Sequence, residues 1–148
     1  MENLASSVSK TLSANDLGRT GSHQAGILVP KDRKILDFFP ALVSGSLNPR
    51  VSIKVVDEEG QPWQFQFIHY NNRVVACGTR NEYRLTCMTK FLRKHGAQIG
   101  DTLFFEWKGS TLSARVTKTP TDPLGGDEDN VIRLSGEWRV VRMRTRME

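Results

Sequence analysis

The chain has 148 residues, 38% hydrophobic and 25% charged, a composition that suits a folded globular protein rather than a disordered one. Its 21 Lys and Arg against 16 Asp and Glu give a net charge of +5, which invites a polyanionic partner. No apolar run approaches the ~18–20 residues of a membrane span, and two cysteines, Cys77 and Cys87, are too few for a disulfide framework.

The polar first 30 residues predict no secretory signal, and a reducing cytoplasm is the expected compartment. A chain of this length fits one domain over 1–148. Residues 1–7 read as a frayed start and 8–12 as a short strand. Residues 13–23 are rich in Ser, Asn, Asp, Gly and Thr and read as a long polar loop. Ile27 to Val29 is a brief apolar run stopped by Pro30. Asp32 can cap a helix reaching Phe39, with Ile35, Leu36, Phe38 and Phe39 on its apolar face.

Strand signals then dominate. Val51, Ile53 and Val55 alternate with polar residues, as do Trp63, Phe65 and Phe67, so 51–57 and 62–69 predict a hairpin turned at Glu59-Gly60. A short strand is expected at 74–76. Met88, Phe91 and Leu92 predict a second helix over 86–94, closed by Gly96. Alternation returns at Leu103, Phe105 and Trp107 and again at Leu112, Ala114 and Val116. Residues 119–130 read as an exposed loop, and 131–134 and 137–142 as the last strands. Seven short strands with two short helices, and no βαβ rhythm, predict a mainly β barrel or sandwich.

The charge is unevenly spread. Between Arg73 and Lys94 stand six basic residues (Arg73, Arg80, Arg84, Lys90, Arg93 and Lys94) and a single acid, Glu82. Residues 122–129 hold four acids and no base, while the last sixteen carry five arginines.

Catalytic signatures are sparse. The three histidines are scattered and neither cysteine has a CxxC partner, so no zinc site is predicted; the cysteines are expected in small, semi-buried positions. Asp101 with Glu106-Trp107-Lys108 resembles the acidic-x-Lys core of metal-dependent nucleases, whose two acids must converge on Mg²⁺. A charged outer strand face is the better explanation of Glu106 and Lys108, and it needs no function.

Nucleic-acid binding has better support. Gly78-Thr79-Arg80-Asn81-Glu82-Tyr83-Arg84 concentrates side chains that can read base edges: Arg with guanine, Asn with adenine, Glu with cytosine. If extended, it places Arg80, Glu82 and Arg84 on one side. The residues alone leave open a solvated loop whose Arg–Glu pairs contribute little to stability. Asn15, Asp16, Arg19, His23 and Gln24 supply a second set of such groups, and Gly18 and Gly21 permit close backbone approach.

These residues also carry a resemblance. Trp63, Phe67, Arg80-Asn81-Glu82-Tyr83-Arg84-Leu85-Thr86, Phe91 and Gly100-Asp101-Thr102-Leu103-Phe104 resemble the DNA-binding pseudobarrel of plant B-three-type transcription factors. Leu12-Ser13-Ala14-Asn15-Asp16-x-Gly18-x-Thr20-Gly21-x-His23-Gln24-x-Gly26, with Pro30 and Thr79-Arg80-Asn81-Glu82, is similar to the N-terminal effector domain of EcoRII-type restriction endonucleases. The resemblance spans roughly residues 10–105. It implies a seven-stranded open pseudobarrel with two short helices, whose arms near 13–23 and 77–86 clamp the major groove of double-stranded DNA. Relatives recognise a CC(A/T)GG-type sequence.

By motif, His23, Arg80, Glu82 and Arg84 are implied base readers, with Asn81 reading a base or holding the arm. Asp16, Arg19 and Tyr83 join the expected readout set, although that family has a basic residue at the place of Tyr83 and a Tyr at that of Leu28. Lys10, Lys31, Arg33, Arg73, Lys90, Arg93 and Lys94 are phosphate candidates. The expected function is the target-recognition module of a prokaryotic cytoplasmic restriction endonuclease. It would have no catalytic residues, metal, cofactor or membrane partner of its own; residues 143–148 would lead towards a nuclease domain using Mg²⁺. The rival readings are a small metal-dependent nuclease built on Asp101, Glu106 and Lys108, and a non-specific basic interaction barrel.

Overall fold

Alternation of apolar and polar side chains sets the centre of the molecule. A computed structural model describes residues 3–18, 26–119 and 138–145. Strands β1 (Asn3–Thr11), β2 (Ile27–Val29), β3 (Arg50–Val56), β4 (Pro62–Tyr70), β5 (Glu82–Thr86), β6 (Thr102–Lys108), β7 (Thr111–Thr117) and β8 (Trp138–Thr145) form one sheet, ordered β2-β5-β4-β3-β7-β6-β1-β8. All neighbours are antiparallel except β3 and β7. Period two sends Ile53, Val55, Phe65, Phe67, Leu103, Phe105, Leu112 and Ala114 inward, where all are buried.

Short helices plug the interior. Helix α1 (Arg33–Leu36) starts where the Asp32 carboxylate accepts from the Lys34 amide at 2.9 Å. Just beyond it, Phe39 stacks on Phe67 at 5.0 Å and meets Phe105 and Trp138 edge-on. Helix α3 (Thr89–Lys94) places Phe91 against Phe65 and Trp63. The two edge strands also meet without a backbone ladder, since the Trp138 indole donates to the Leu28 carbonyl at 3.0 Å. The sheet is thereby curled into an open pseudobarrel.

Asp57, buried at the end of β3, organises the β3–β4 turn. It accepts from the Glu59 and Gln61 amides, the Trp63 indole and His95 Nε2 at 2.8–3.1 Å. Burial raises its pKa, but the hydrogen bonds from Trp63, Gln61, Glu59 and His95 outweigh it and bring the carboxyl to about 2.

Several expectations are corrected among the described residues. There are eight strands and three short helices rather than seven and two. Residues 3–7 are not frayed: β1 begins at Asn3 because β8 pairs with it from there, and β6 joins on the other side from Ser7. Residues 143–145 belong to β8 and not to a linker. Of the segment expected as a strand at 74–76, Val74 and Val75 belong instead to helix α2 (Asn72–Val75), and Ala76 caps it. The second helix starts at Thr89, because Cys87 takes a positive φ of 67° that no helix continues through. Both cysteines are exposed. The loop predicted at 119–130 and the strand at 131–134 lie outside the described residues, apart from Thr119. No described helix is long and apolar enough to cross a membrane.

Candidate nucleic-acid interface

The segment 71–86, which contains the arm expected near 77–86, is built around three asparagines. Buried Asn71 and Asn48 exchange side-chain and backbone hydrogen bonds at 2.7 and 3.1 Å, and Asn71 Nδ2 donates to the Ser46 carbonyl. Asn72 Oδ1 accepts from the Arg80 amide at 2.8 Å, while the Arg73 amide donates to the Arg80 carbonyl at 2.9 Å. A two-sided backbone clamp therefore fixes where Arg80 leaves the arm. Gly78 packs so tightly on Asn72 that a Cβ there would lie 2.2 Å from Asn72 Cγ.

Beyond the clamp the chain is extended, and residues alternate. Arg80, Glu82 and Arg84 share one side, as period two predicted. Glu82 Oε2 accepts from Arg80 Nη2 at 2.5 Å and from Arg84 Nε at 2.8 Å. Burial raises the Glu82 pKa, but hydrogen bonds from Arg80 and Arg84 and their positive charges overcome it and hold the carboxyl below its usual range.

The two arginines are not alike. Arg84 is 3% exposed and its Nη1 donates to the Gly26 carbonyl at 3.2 Å, joining β5 to the root of the N-terminal arm. That root runs directly over β5: Gly26 has φ +80°, and a Cβ there would lie 2.2 Å from the Leu85 carbonyl oxygen. Only glycine fits. Arg80 sits at the open end of the row, its guanidinium 4.0 Å above the Tyr70 ring. Its Nε is buried and has no hydrogen-bond partner among the described residues.

Asn81 and Tyr83 face the opposite side. His69 Nε2 and Asn81 Oδ1 are hydrogen-bonded at 2.8 Å, and the Tyr83 ring lies parallel to His69 at 4.1 Å and stacks on Phe67 at 5.8 Å. Neither side chain stands with the charged row; both hold the strand to β4. His69, Tyr70 and Asn72 are the positioning residues that sequence reasoning missed. Carrying the period-two rule one step further signals part of this, since it puts Asn81 and Tyr83 opposite Arg80 and Glu82.

In the N-terminal arm, Asp16 closes a turn instead of reaching outward. Its Oδ2 accepts from the Ser13 amide at 2.9 Å and pairs with Lys10 Nζ at 3.0 Å, both side chains being buried. Lys10 and Asp16 thus neutralise each other within the turn. Gly18, at φ +73°, has open space where a side chain would stand. Arg19, Gly21, His23 and Gln24 lie outside the described residues.

Of the phosphate candidates, Lys31, Arg33, Arg73, Lys90 and Arg93 are exposed. Lys94 is engaged elsewhere, donating to Glu59 at 2.6 Å and Gln61 at 2.9 Å beside the Asp57 turn. Asp101 is likewise committed, accepting from Lys118, the Gln98 amide and the Thr119 amide. At ~3.3 Å per residue the four steps from Thr102 to Glu106 already span about 13 Å. Asp101 and Glu106 therefore cannot converge on one ion. No cluster of three or more potential metal-ligating side chains occurs among the described residues.

A family model described as restriction endonuclease EcoRII, N-terminal, matches residues 3–95. No curated protein matches the chain. Among solved structures, the Arabidopsis FUS3–DNA complex matches with a TM-score of 0.56 and 21% identity, over 76% of this chain and 96% of that one. That likeness is one of fold.

Proposed function

The chain belongs to the family of the N-terminal part of restriction endonuclease EcoRII, and from that premise we propose that it is a sequence-specific double-stranded DNA-binding module. It is the target-recognition, or effector, part of a prokaryotic cytoplasmic type II endonuclease and reads a CC(A/T)GG-like site through two major-groove arms. It binds without cutting and needs no cofactor; hydrolysis belongs to a fused or docked Mg²⁺-dependent nuclease domain.

The observation that carries this reading is the one-sided Arg80–Glu82–Arg84 row, buried at one end and open at the other. The Arg80–Glu82 pair, its side chains 33% and 25% exposed, lies towards the surface case worth roughly 0–1 kcal/mol, whereas a good bidentate pairing with a base contributes about 1–3 kcal/mol of discrimination. Arg80 can therefore leave Glu82 for guanine O6 and N7 with a net gain. The same movement gives its orphaned Nε an acceptor, relieving a cost of about 1–3 kcal/mol. Arg84 stays behind and keeps the Glu82 carboxylate compensated and aimed, leaving Glu82 to accept from cytosine N4. Arg84 thus acts as a positioning residue for the base readers Arg80 and Glu82. Arg19 and His23 are the readers of the other arm, and Lys31, Arg33, Arg73, Lys90 and Arg93 set register on phosphates.

Titration of the chain against a CC(A/T)GG duplex and a scrambled one, at one physiological salt concentration without Mg²⁺, tests the reading. A preference of ~10³-fold or more is expected. Equal affinities would leave only a basic surface.

A further inference from the structure

We propose that helix α2 and the adjoining Leu47 form an apolar contact surface for thymine C5-methyl groups in the major groove. The inference rests on the DNA-binding reading above and names a base feature that the charged row does not read.

Val74 is 62% exposed, Val75 42% and Leu47 57%. None belongs to the hydrophobic core or to its partly buried fringe. They are not scattered surface residues. The Asn71 carbonyl accepts from the amides of Val74 at 2.9 Å and Val75 at 3.1 Å, and its side chain bonds to Ser46 and Asn48, the two neighbours of Leu47. One buried asparagine therefore pins all three apolar residues to the same end of the sheet.

The patch is tied to the reading row as well, because Arg73, next to Val74, donates its amide to the Arg80 carbonyl. Wherever Arg80 meets a base edge, α2 is carried to the neighbouring steps. The exposed Arg73 side chain supplies attraction to phosphate at the same place. Valine is stiff at χ1, so the two side chains lose little freedom on contact. A purely solvated arm tip gains nothing from three exposed aliphatic residues. The major groove offers such a surface one partner, since thymine alone of the four bases presents a methyl group there.

The test starts with duplexes that the wild-type chain selects from a randomised pool, then replaces each thymine by uracil in turn. Covering one methyl is worth about fourfold in Kd, so uracil at one or two positions is expected to weaken wild-type binding about fourfold. A chain carrying Val74→Ala and Val75→Ala is expected to bind more weakly and to ignore uracil at those positions. Both sites are exposed and alanine favours helix, so this variant folds. Wild-type indifference to uracil at every position, or an equal uracil penalty in the variant, would overturn the proposal. Failure of the wild type to select any sequence would remove the DNA-recognition reading itself.

Discussion

Asp57 and Glu82 are both carboxylates held below their usual pKa, yet they are built for opposite ends. Asp57 is closed in by two backbone amides of the β3–β4 turn, the Trp63 indole and the His95 imidazole. Glu82 is held by two guanidinium groups, one buried and fixed, the other resting on Tyr70 at the open end. The donors decide the role. A carboxylate satisfied by backbone is a structural post, whereas one satisfied by a swinging side chain can exchange that partner for a ligand.

The contrast breaks most directly at Asp57. Asp57→Ala orphans four donors and is expected to lower unfolding free energy by about 2–4 kcal/mol in urea titrations. Base preference should survive wherever the variant is still folded. Arg80→Ala is expected to do the reverse, costing about 1–3 kcal/mol on the preferred duplex and relaxing preference at one position. Its unfolding midpoint should scarcely move, since the lost pair is worth roughly 0–1 kcal/mol. Equal loss on preferred and random duplexes would make Arg80 a phosphate contact.

Acid sharpens the same comparison. The folded-state pKa of Asp57 lies at about 2, below its ordinary value of 3.8, so its contribution is complete above the ordinary value and disappears as pH falls through the folded one. Stability measured from pH 5 to pH 2 should decline, and Asp57→Asn should flatten that decline. The smallest effect concerns salt. Arg73→Ala should reduce the slope of log affinity against log salt by about 0.9, while Lys94→Ala, held at the Asp57 turn by Glu59, should leave it unchanged.

Much of the barrel was legible because local alternation and burial agree. The hairpin expected at 51–57 and 62–69 is β3 and β4 within one residue at each end, and Asp32 caps where its position suggested. Failures fall where hydrogen-bond partners override the local pattern. Asn3 to Ser7 look unstructured alone and become strand through β8, with β6 joining at Ser7. Val74-Val75 reads as strand by β-branching, but hydrogen bonds to the Asn71 carbonyl bend it into a helical turn. Within the arm, period two showed the charged row. It could not show that Arg84 is buried beneath the N-terminal root or that Lys10 reaches Asp16, since both depend on chain crossings.

Trp138 gives the barrel seam a further property. Other neighbouring strands are laced by repeated backbone bonds, but among the described residues β2 and β8 are fastened by the Trp138 indole hydrogen bond and the packing of that ring on Phe39 and Phe105. A ladder must be unzipped rung by rung; a clasp releases in one step. Local opening at this seam therefore has its own low free-energy threshold, set by a single residue. Because the clasp grips Leu28, two residues from Gly26, its release would slacken the footing of the N-terminal arm while the rest of the wall stands, and Trp138 fluorescence would register the event.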